Sequence, residues 1–120
     1  MDYLNYAIFA LLLLFVLIRF VPVKGIRNIS ASELKNELND KQKQFIDVRT
    51  TVEFNRNHIR GFKNVPLHQL SQKSKELAKD KEVVVICQSG MRSMKASKEL
   101  KKLGFTQITN VKGGVSAWRP

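Results

Sequence analysis

The segment "EVVVICQSGMRS", residues 82–93, carries the only cysteine of the 120-residue chain. Residues 83–87 are continuously apolar, which is typical of a central strand buried on both faces of a parallel sheet. A short loop containing Gly90 follows, and a helix pattern begins at Ser93. In parallel α/β sheets, ligands bind where strands end and helices begin, so Cys87 lies at a candidate site.

The region after residue 29 repeats this alternation of strands and helices. Ser30 and Glu33 have the spacing of a capping box, and Gly104 is typical of the residue that follows a helix end. The pattern predicts an α/β domain with a mainly parallel sheet. Strands are predicted within residues 44–49, 62–67, 82–87 and 105–111, and helices after Ser30, in the second half of residues 68–80 and over residues 93–104.

Composition divides the chain into two unlike parts. Between Tyr3 and Ile18, Asn5 is the only strongly polar residue, whereas the chain after Pro22 has the charged composition of a soluble domain. We therefore predict a hydrophobic segment over residues 1–23, a linker over residues 24–29 and one domain over residues 30–120. A domain of this size is large enough for a core of its own.

A transmembrane helix is the interpretation that best fits residues 3–23. A signal peptide would need a basic start and a small-residue cleavage site, and a buried core helix would show a polar face. A helix of this length is about 30 Å long, close to the thickness of a bilayer core. Arg19, Lys24 and Arg27 follow the segment, so charge asymmetry predicts a single-pass protein of the cell membrane with its domain in the cytoplasm.

The charge of the chain indicates an anionic partner. The formal net charge is +11, from 21 Lys and Arg against 10 Asp and Glu. Such a surface suits anionic lipid or an anionic small molecule, or it is simply a solvated lysine surface. No DNA-binding motif is present, so no nucleic acid partner is expected. One cysteine and two histidines form no visible metal-ligand cluster, and a single cysteine indicates a reducing compartment.

The loop from Cys87 to Arg92 suits nucleophilic chemistry on an anionic group. Backbone N–H groups at a strand-to-helix turn can point inward and form a positively polarised nest. Gly90 permits the backbone conformation that such a turn needs, and Arg92 adds a positive charge. A thiol in this environment is biased toward the thiolate, although a lone cysteine after an apolar strand is often only a small core residue.

Three stretches of the sequence together resemble single-domain rhodaneses, the thiosulfate and persulfide sulfurtransferases. "CQSGMRS" resembles their active-site loop, which often reads C-x-x-G-x-R-S. "FIDVRTTVEFNRNHIRGFKNVPL" resembles the family's stretch with D-V-R, E-[FY], H-I and N-[IV]-P, and "VKGGVSAW" resembles its C-terminal G-G…W signature. The resemblance covers about residues 28–119 in the family's order and implies a three-layer rhodanese-like fold.

The resemblance also implies a ping-pong reaction that needs no cofactor. Cys87 would take a sulfane sulfur from an anionic donor, either thiosulfate or a persulfide, and pass it to a thiol, to cyanide or to an acceptor protein. Arg92 would attract the donor and stabilise the charged intermediate, while Asp47 and Arg49 would support the site through hydrogen bonds and an ion pair. The residues implied to form the active-site loop and bind substrate are Gln88, Ser89, Gly90, Met91, Arg92 and Ser93.

Two other functions compete with sulfur transfer. The first is a catalytically weak rhodanese-like module that binds proteins at the membrane, although loss of the cysteine would have marked such a module and Cys87 is present. The second is a cysteine-dependent phosphatase or arsenate reductase of related fold. These enzymes use Cys-x5-Arg, whereas this chain has Cys-x4-Arg, and the smaller ring suits one sulfur atom better than a phosphoryl group.

Overall fold

The computed structural model describes residues 2–20 and 25–120, which form an N-terminal helix and one α/β domain. The strands are β1 Ile26–Ile29, β2 Gln44–Asp47, β3 Lys63–Asn64, β4 Val83–Ile86 and β5 Ile108–Val111. The helices are α1 Tyr3–Phe20, α2 Ala31–Lys35, α3 Thr51–Arg56, α4 Leu70–Lys73 and α5 Met91–Lys102, with short 3-10 turns at Leu67–Gln69, Ser74–Glu76 and Val115–Ala117.

The five strands form one sheet in the order β1-β5-β4-β2-β3. Every pairing among the described strands is parallel, so the sheet predicted as mainly parallel is wholly parallel in this part of the chain. All four residues of β4 are buried, as its apolar run predicts. Because side chains alternate along a strand, Val83 and Val85 pack with α4 and α5, whereas Val84 and Ile86 pack with α2 on the opposite face. These two cores give the predicted three-layer architecture.

The predicted linker over residues 24–29 is wrong for residues 26–29, because they form the edge strand β1. Ile26 and Ile29 are buried and belong to the cores on opposite faces of the sheet. The strand pairs in parallel with β5 over its whole length. A four-residue strand with two charged or polar residues between two isoleucines has too short a pattern to stand out in the sequence. Residue 24 lies outside the described residues.

Two helix boundaries differ from the prediction for identifiable reasons. In residues 68–80 the helical part is the first half, because Pro66 precedes the turn at Leu67 and the fully buried Leu70 anchors α4 to the core. Helix α5 begins at Met91, directly after Gly90, and not at Ser93. Its predicted end is confirmed, since Gly104 has the positive φ of 101° that glycine tolerates.

Helix α1 is present where the hydrophobic segment predicts it, and its large apolar side chains are exposed over residues 3–18. Within residues 2–20 and 25–120, however, no helix is long and apolar enough to cross a membrane, so the predicted transmembrane span is not supported. The physical reason is the length of the apolar run. Residues 7–18 are uninterrupted, and a run of 10–14 residues is shorter than the roughly 20 that a spanning helix needs.

Candidate active site

Cys87 follows β4 directly and lies at the carboxyl edge of the sheet, as the sequence predicts. Its side chain is 1% exposed and packs in the core on the α5 face. The chain turns through Gly90, whose φ of 108° is accessible mainly to glycine, and enters α5 at Met91. The thiol is therefore held against the first turn of the longest helix in the domain.

The loop surrounds the sulfur with hydrogen-bond partners. The amide of Gly90 donates to Cys87 Sγ at 3.0 Å, and the Cys87 thiol donates to Ser93 Oγ at 3.3 Å. Burial raises the pKa of the Cys87 thiol, but hydrogen bonding with the Ser93 hydroxyl and with the amides of Ser93, Gly90 and Ser89 outweighs it and leaves the pKa lowered. These donors stabilise a thiolate, which is the nucleophilic form of cysteine.

Arg92 forms an ion pair with Glu53, a residue that lies outside the cysteine loop. Its two terminal nitrogens donate to the two carboxylate oxygens of Glu53 at 2.6 and 2.9 Å. The hydrogen bond from Arg92 lowers the pKa of Glu53 to about 2, so the carboxylate stays ionised throughout the physiological range. Arg92 was predicted to attract the donor; in the structure its guanidinium already has an anionic partner.

Glu53 occupies its position because of local sequence. It is the third residue of α3 and forms a capping box with Thr50, whose hydroxyl accepts a hydrogen bond from the Glu53 amide. The spacing Thr50-x-x-Glu53 repeats that of Ser30-x-x-Glu33, which caps α2 in the same way. This pattern was visible in the sequence, but nothing in it indicated that the glutamate would reach across to α5.

Asp47 and Arg49 form a buried ion pair at the end of β2. Arg49 Nε donates to Asp47 Oδ1 at 3.0 Å, and Arg49 Nη2 donates to Asp47 Oδ2 at 2.9 Å. Arg49 Nη1 also donates to Gln88 Oε1 at 3.2 Å, and Gln88 Nε2 donates to Ser116 Oγ at 3.0 Å. The Asp47–Arg49 pair is thus hydrogen-bonded to the cysteine loop through Gln88. The side chain of Met91, another predicted loop residue, is exposed at the surface.

The C-terminal glycine turn holds the other side of the loop. The amide of Val115 donates to the carbonyl of Cys87 at 2.9 Å, and the amide of Ser116 donates to the carbonyl of Gln88 at 3.0 Å. A Cβ on Gly114 would lie 2.2 Å from the Cys87 carbonyl oxygen. Only glycine fits this contact, so the "GGVSAW" segment is part of the site and not merely a turn.

A cleft of about 450 Å³ lies beside the loop. Val48, Pro66 and Leu67 supply apolar walls, and the first two turns of α5 supply Arg92 and Lys95. Its remaining lining residues are Thr50, His68 and Glu99. Among the residues that the structure describes, no group of three metal-binding side chains is close enough to hold a metal ion.

Comparison with known proteins identifies the family. Residues 30–120 match the model of the rhodanese-like domain. The chain belongs to the rhodanese-like family. The putative sulfurtransferase YtwF of Bacillus subtilis is 39% identical over 94 residues, which cover 78% of this chain and 90% of that protein. A rhodanese-like domain protein from Staphylococcus aureus has a similar crystal structure, with a TM-score of 0.71, 32% identity and coverage of 78% of this chain and 91% of that chain.

One relative also matches outside the domain. The uncharacterised Bacillus subtilis protein YqhL is 37% identical over 111 residues, which cover 92% of this chain and 87% of that protein. Residues 30–120 alone make up a smaller share of the chain, so this match includes part of the N-terminal segment. The rhodanese resemblance predicted from the sequence is confirmed, and the buried Cys87 is the candidate active-site residue.

Proposed function

We propose that this protein is a sulfurtransferase that carries sulfur on Cys87. The thiolate attacks the outer sulfur of thiosulfate or of a persulfide, forming a new S–S bond while the S–S bond of the donor breaks. Sulfite or a thiolate leaves with the electron pair. An acceptor nucleophile, such as a thiol or cyanide, then attacks the outer sulfur of the Cys87 persulfide and regenerates the thiolate.

The observation that carries this proposal is the set of donors around Cys87 Sγ. The Gly90 amide lies 3.0 Å from Sγ and the Ser93 hydroxyl 3.3 Å from it. In the thiolate form the Ser93 hydroxyl can turn its proton from the Gly90 carbonyl, which it contacts at 3.0 Å, to the sulfur. Amides and a hydroxyl aimed at one sulfur atom would also stabilise the terminal anion of a persulfide.

The test is the mass of the protein after exposure to a sulfur donor. Incubation of the full chain with thiosulfate or with glutathione persulfide should add about 32 Da, one sulfur atom, at Cys87. Subsequent addition of cyanide should remove that mass and release thiocyanate. The variant C87S should gain no mass, because a hydroxyl is a poor nucleophile at neutral pH.

Two outcomes would favour the alternatives. A native protein that hydrolyses aryl phosphates faster than it takes up sulfur would be a phosphatase. A native protein that takes up no sulfur from either donor, yet retains its fold, would be a binding module. The Cys-x4-Arg spacing favours sulfur transfer over the phosphatase, and the presence of Cys87 favours it over the binding module.

We also propose that α1 attaches the domain to the cell membrane on its cytoplasmic side. The supporting observation is that its leucines are exposed on all sides of the helix, with Leu11, Leu12, Leu13 and Leu14 each more than half exposed. Four consecutive residues point in four directions around a helix, so a partner covering one face would leave the others in water. The cytoplasmic side is supported by Arg19, Lys24 and Arg27, because basic residues that follow a hydrophobic segment are retained on that side of the membrane.

Fractionation of intact cells tests this location. The protein should stay in the membrane fraction after a carbonate or high-salt wash, because salt screens only the electrostatic adhesion of a basic domain. Protease added outside intact cells should leave the domain uncut. Release by salt would mean electrostatic adhesion alone, and external digestion would reverse the topology.

A further inference from the structure

We infer that the edge of the domain where the strands begin is a docking surface for anionic phospholipid, and that the cysteine loop therefore points away from the membrane. This inference rests on the proposed attachment by α1 and goes beyond it, because it says which face of the domain lies on the lipid and which lipid that face prefers. Four lysines carry it, and we call them the basal patch: Lys79, Lys81, Lys101 and Lys102.

The four lysines lie together at one end of the sheet. Lys101 and Lys102 are the last two residues of α5, which runs back to the edge where β5 begins. Lys79 packs at the end of the same helix, because a Cβ on Gly104 would lie 3.7 Å from Lys79 Nζ. Lys81 lies two residues before the start of β4. All four side chains are exposed.

The neighbouring ion pairs leave these lysines uncompensated. Two carboxylates at the same edge, those of Glu37 and Glu82, are each bound to both Arg27 and Lys43, at 2.5–3.2 Å. These four charges therefore cancel among themselves. Among the described residues, no ion pair includes a lysine of the basal patch.

The remaining carboxylates near this edge are too few to neutralise the patch. Asp40 is followed by Lys41, which offsets its charge, and Asp80 lies between Lys79 and Lys81 in the chain. Four lysines against the single charge of Asp80 leave a positive excess. An exposed surface of this kind attracts an anionic partner.

The path of the chain makes lipid the favoured partner. Gly25, the first described residue of the domain, lies against the patch, since a Cβ there would be 3.0 Å from Lys101 Nζ. Helix α1 ends at Phe20, and a chain of five residues spans at most about 18 Å. With α1 in the bilayer, the patch is therefore the part of the domain that is held closest to the membrane, where lysines are attracted by anionic headgroups.

This orientation has a consequence for the candidate active site. Because the strands of β1, β4 and β5 run in parallel, the cysteine loop that follows β4 lies at the edge opposite to the basal patch. Docking through the patch therefore leaves Cys87 facing the aqueous phase, where soluble sulfur donors and acceptors can reach it.

Lysine acetylation of the full chain tests the docking. The protein is added to preformed vesicles, so that the domain stays outside, and the acetylation rate of each lysine is measured by mass spectrometry. Vesicles of phosphatidylcholine alone are compared with vesicles that also contain phosphatidylglycerol. The anionic lipid should slow acetylation of the basal patch about fivefold, and high salt should reverse this protection. Lys95, Lys98 and Lys112, which lie nearer the opposite edge, should react equally on both vesicles.

A matched pair of variants tests the orientation. Trp118 is the only tryptophan of the chain and follows the turn that contacts the cysteine loop, so energy transfer from it to a dansyl-labelled lipid reports how close that edge comes to the membrane. In the wild type, transfer should be weaker on anionic than on neutral vesicles. The variant K79Q/K101Q/K102Q should lose this difference, whereas K95Q/K98Q/K112Q, with the same change of charge, should keep it.

The outcomes separate docking from attachment. A chain that sediments with neither kind of vesicle overturns the attachment by α1 and the docking with it. A chain that sediments with both, but whose basal patch is acetylated equally on both, overturns the docking alone. Equal loss of the energy-transfer difference in the two triple variants would also overturn it. Protection of the patch by soluble polyglutamate, to the same degree as by anionic vesicles, would overturn the preference for lipid.

Discussion

At the scale of single residues, hydrogen bonds from neutral groups lower the pKa of the Cys87 thiol, and the charge of Arg92 also interacts with that of Cys87. Ser93 and the loop amides contact or polarise the sulfur directly, whereas Arg92 is bound to Glu53. A hydrogen bond that favours the charged form of a group lowers the pKa of an acid. The role predicted for Arg92 therefore stays a prediction, and Ser93 is a second residue that favours the thiolate.

The first prediction concerns S93A. Loss of its hydroxyl should raise the pKa of Cys87, because the thiolate loses a hydrogen-bond partner that stabilises its charge. The pH dependence of Cys87 alkylation measures this directly, and its midpoint should move to higher pH. The control is S97A, since Ser97 is buried one turn later and donates to the Ser93 carbonyl at 2.7 Å without contacting the sulfur. Equal midpoints in S93A and the wild type would contradict the assignment.

The second prediction concerns acid stability. The pKa of Glu53 is about 2 in the folded protein, below the ordinary value of 4.5, so its ion pair stabilises the fold fully above that ordinary value. The contribution should be lost as pH falls from about 4.5 to about 2. Because the pair is partly exposed to solvent, we expect about 1 kcal/mol. Urea unfolding over this pH range should show that the free energy of unfolding falls less in E53Q than in the wild type. An equal fall in both proteins would show that the ion pair does not stabilise the fold.

At the scale of structural elements, the cysteine loop is held from both sides by segments distant in sequence. Gln88 is bound on one side by Arg49 of the β2 end and on the other by Ser116 of the C-terminal turn. The turn also donates two amides to loop carbonyls. These bonds fix the direction of the loop amides, which is the preorganisation that the thiolate requires.

The third prediction compares two glycines. G61A and G114A both place alanine at a positive φ, 100° and 59° respectively, which costs about 1–2 kcal/mol. A Cβ at position 61 meets no atom within 4 Å, whereas one at position 114 would lie 2.2 Å from the Cys87 carbonyl oxygen. G114A should therefore lose about 2 kcal/mol more stability than G61A, and its rate of sulfur loading should fall. Equal losses of stability in the two variants, measured by thermal or urea unfolding, would show that close packing of Gly114 against the cysteine loop is not required.

At the scale of the whole molecule, the domain begins earlier than its composition suggests. Gly25 precedes β1, which contributes Ile26 and Ile29 to the two cores and extends the sheet beyond β5. A truncation within β1 would remove an edge strand, whereas a truncation before Gly25 leaves the sheet complete. The cysteine loop lies at the opposite edge of the sheet from the point where the chain enters β1, because all the described strands run in parallel.

The fourth prediction concerns removal of the N-terminal segment. Deletion of residues 1–24 should release a soluble domain that loads sulfur on Cys87 at the wild-type rate, since the described contacts of the loop all lie after Gly25. Deletion of residues 1–29 should destabilise the protein, because it also removes β1 and two buried isoleucines, at about 2–5 kcal/mol for each large core side chain. Unfolding midpoints and sulfur loading of the two truncations distinguish these cases. Equal stability of both would mean that β1 is dispensable.

The sequence by itself determined the family, the α/β class, the position of the nucleophile and the hydrophobic N-terminal segment. These properties depend on local order along the chain: an apolar strand, a cysteine, a glycine and a helix start within 12 residues leave few other interpretations. The capping box at Ser30 and the end of α5 at Gly104 were predictable for the same reason, because caps are formed by residues three or four positions apart.

Only the tertiary structure decided which residues meet at the site. Glu53 and Arg92 are 39 positions apart, as are Arg49 and Gln88, and Gln88 and Ser116 are 28 apart. No local pattern encodes such pairs, since they arise when parallel strands bring their carboxyl ends to one edge of the sheet. The same holds for β1, whose four residues become a recognisable strand only when β5 lies beside them. The charge state of the site was therefore set by packing, and packing made Arg92 a paired residue instead of a free cation.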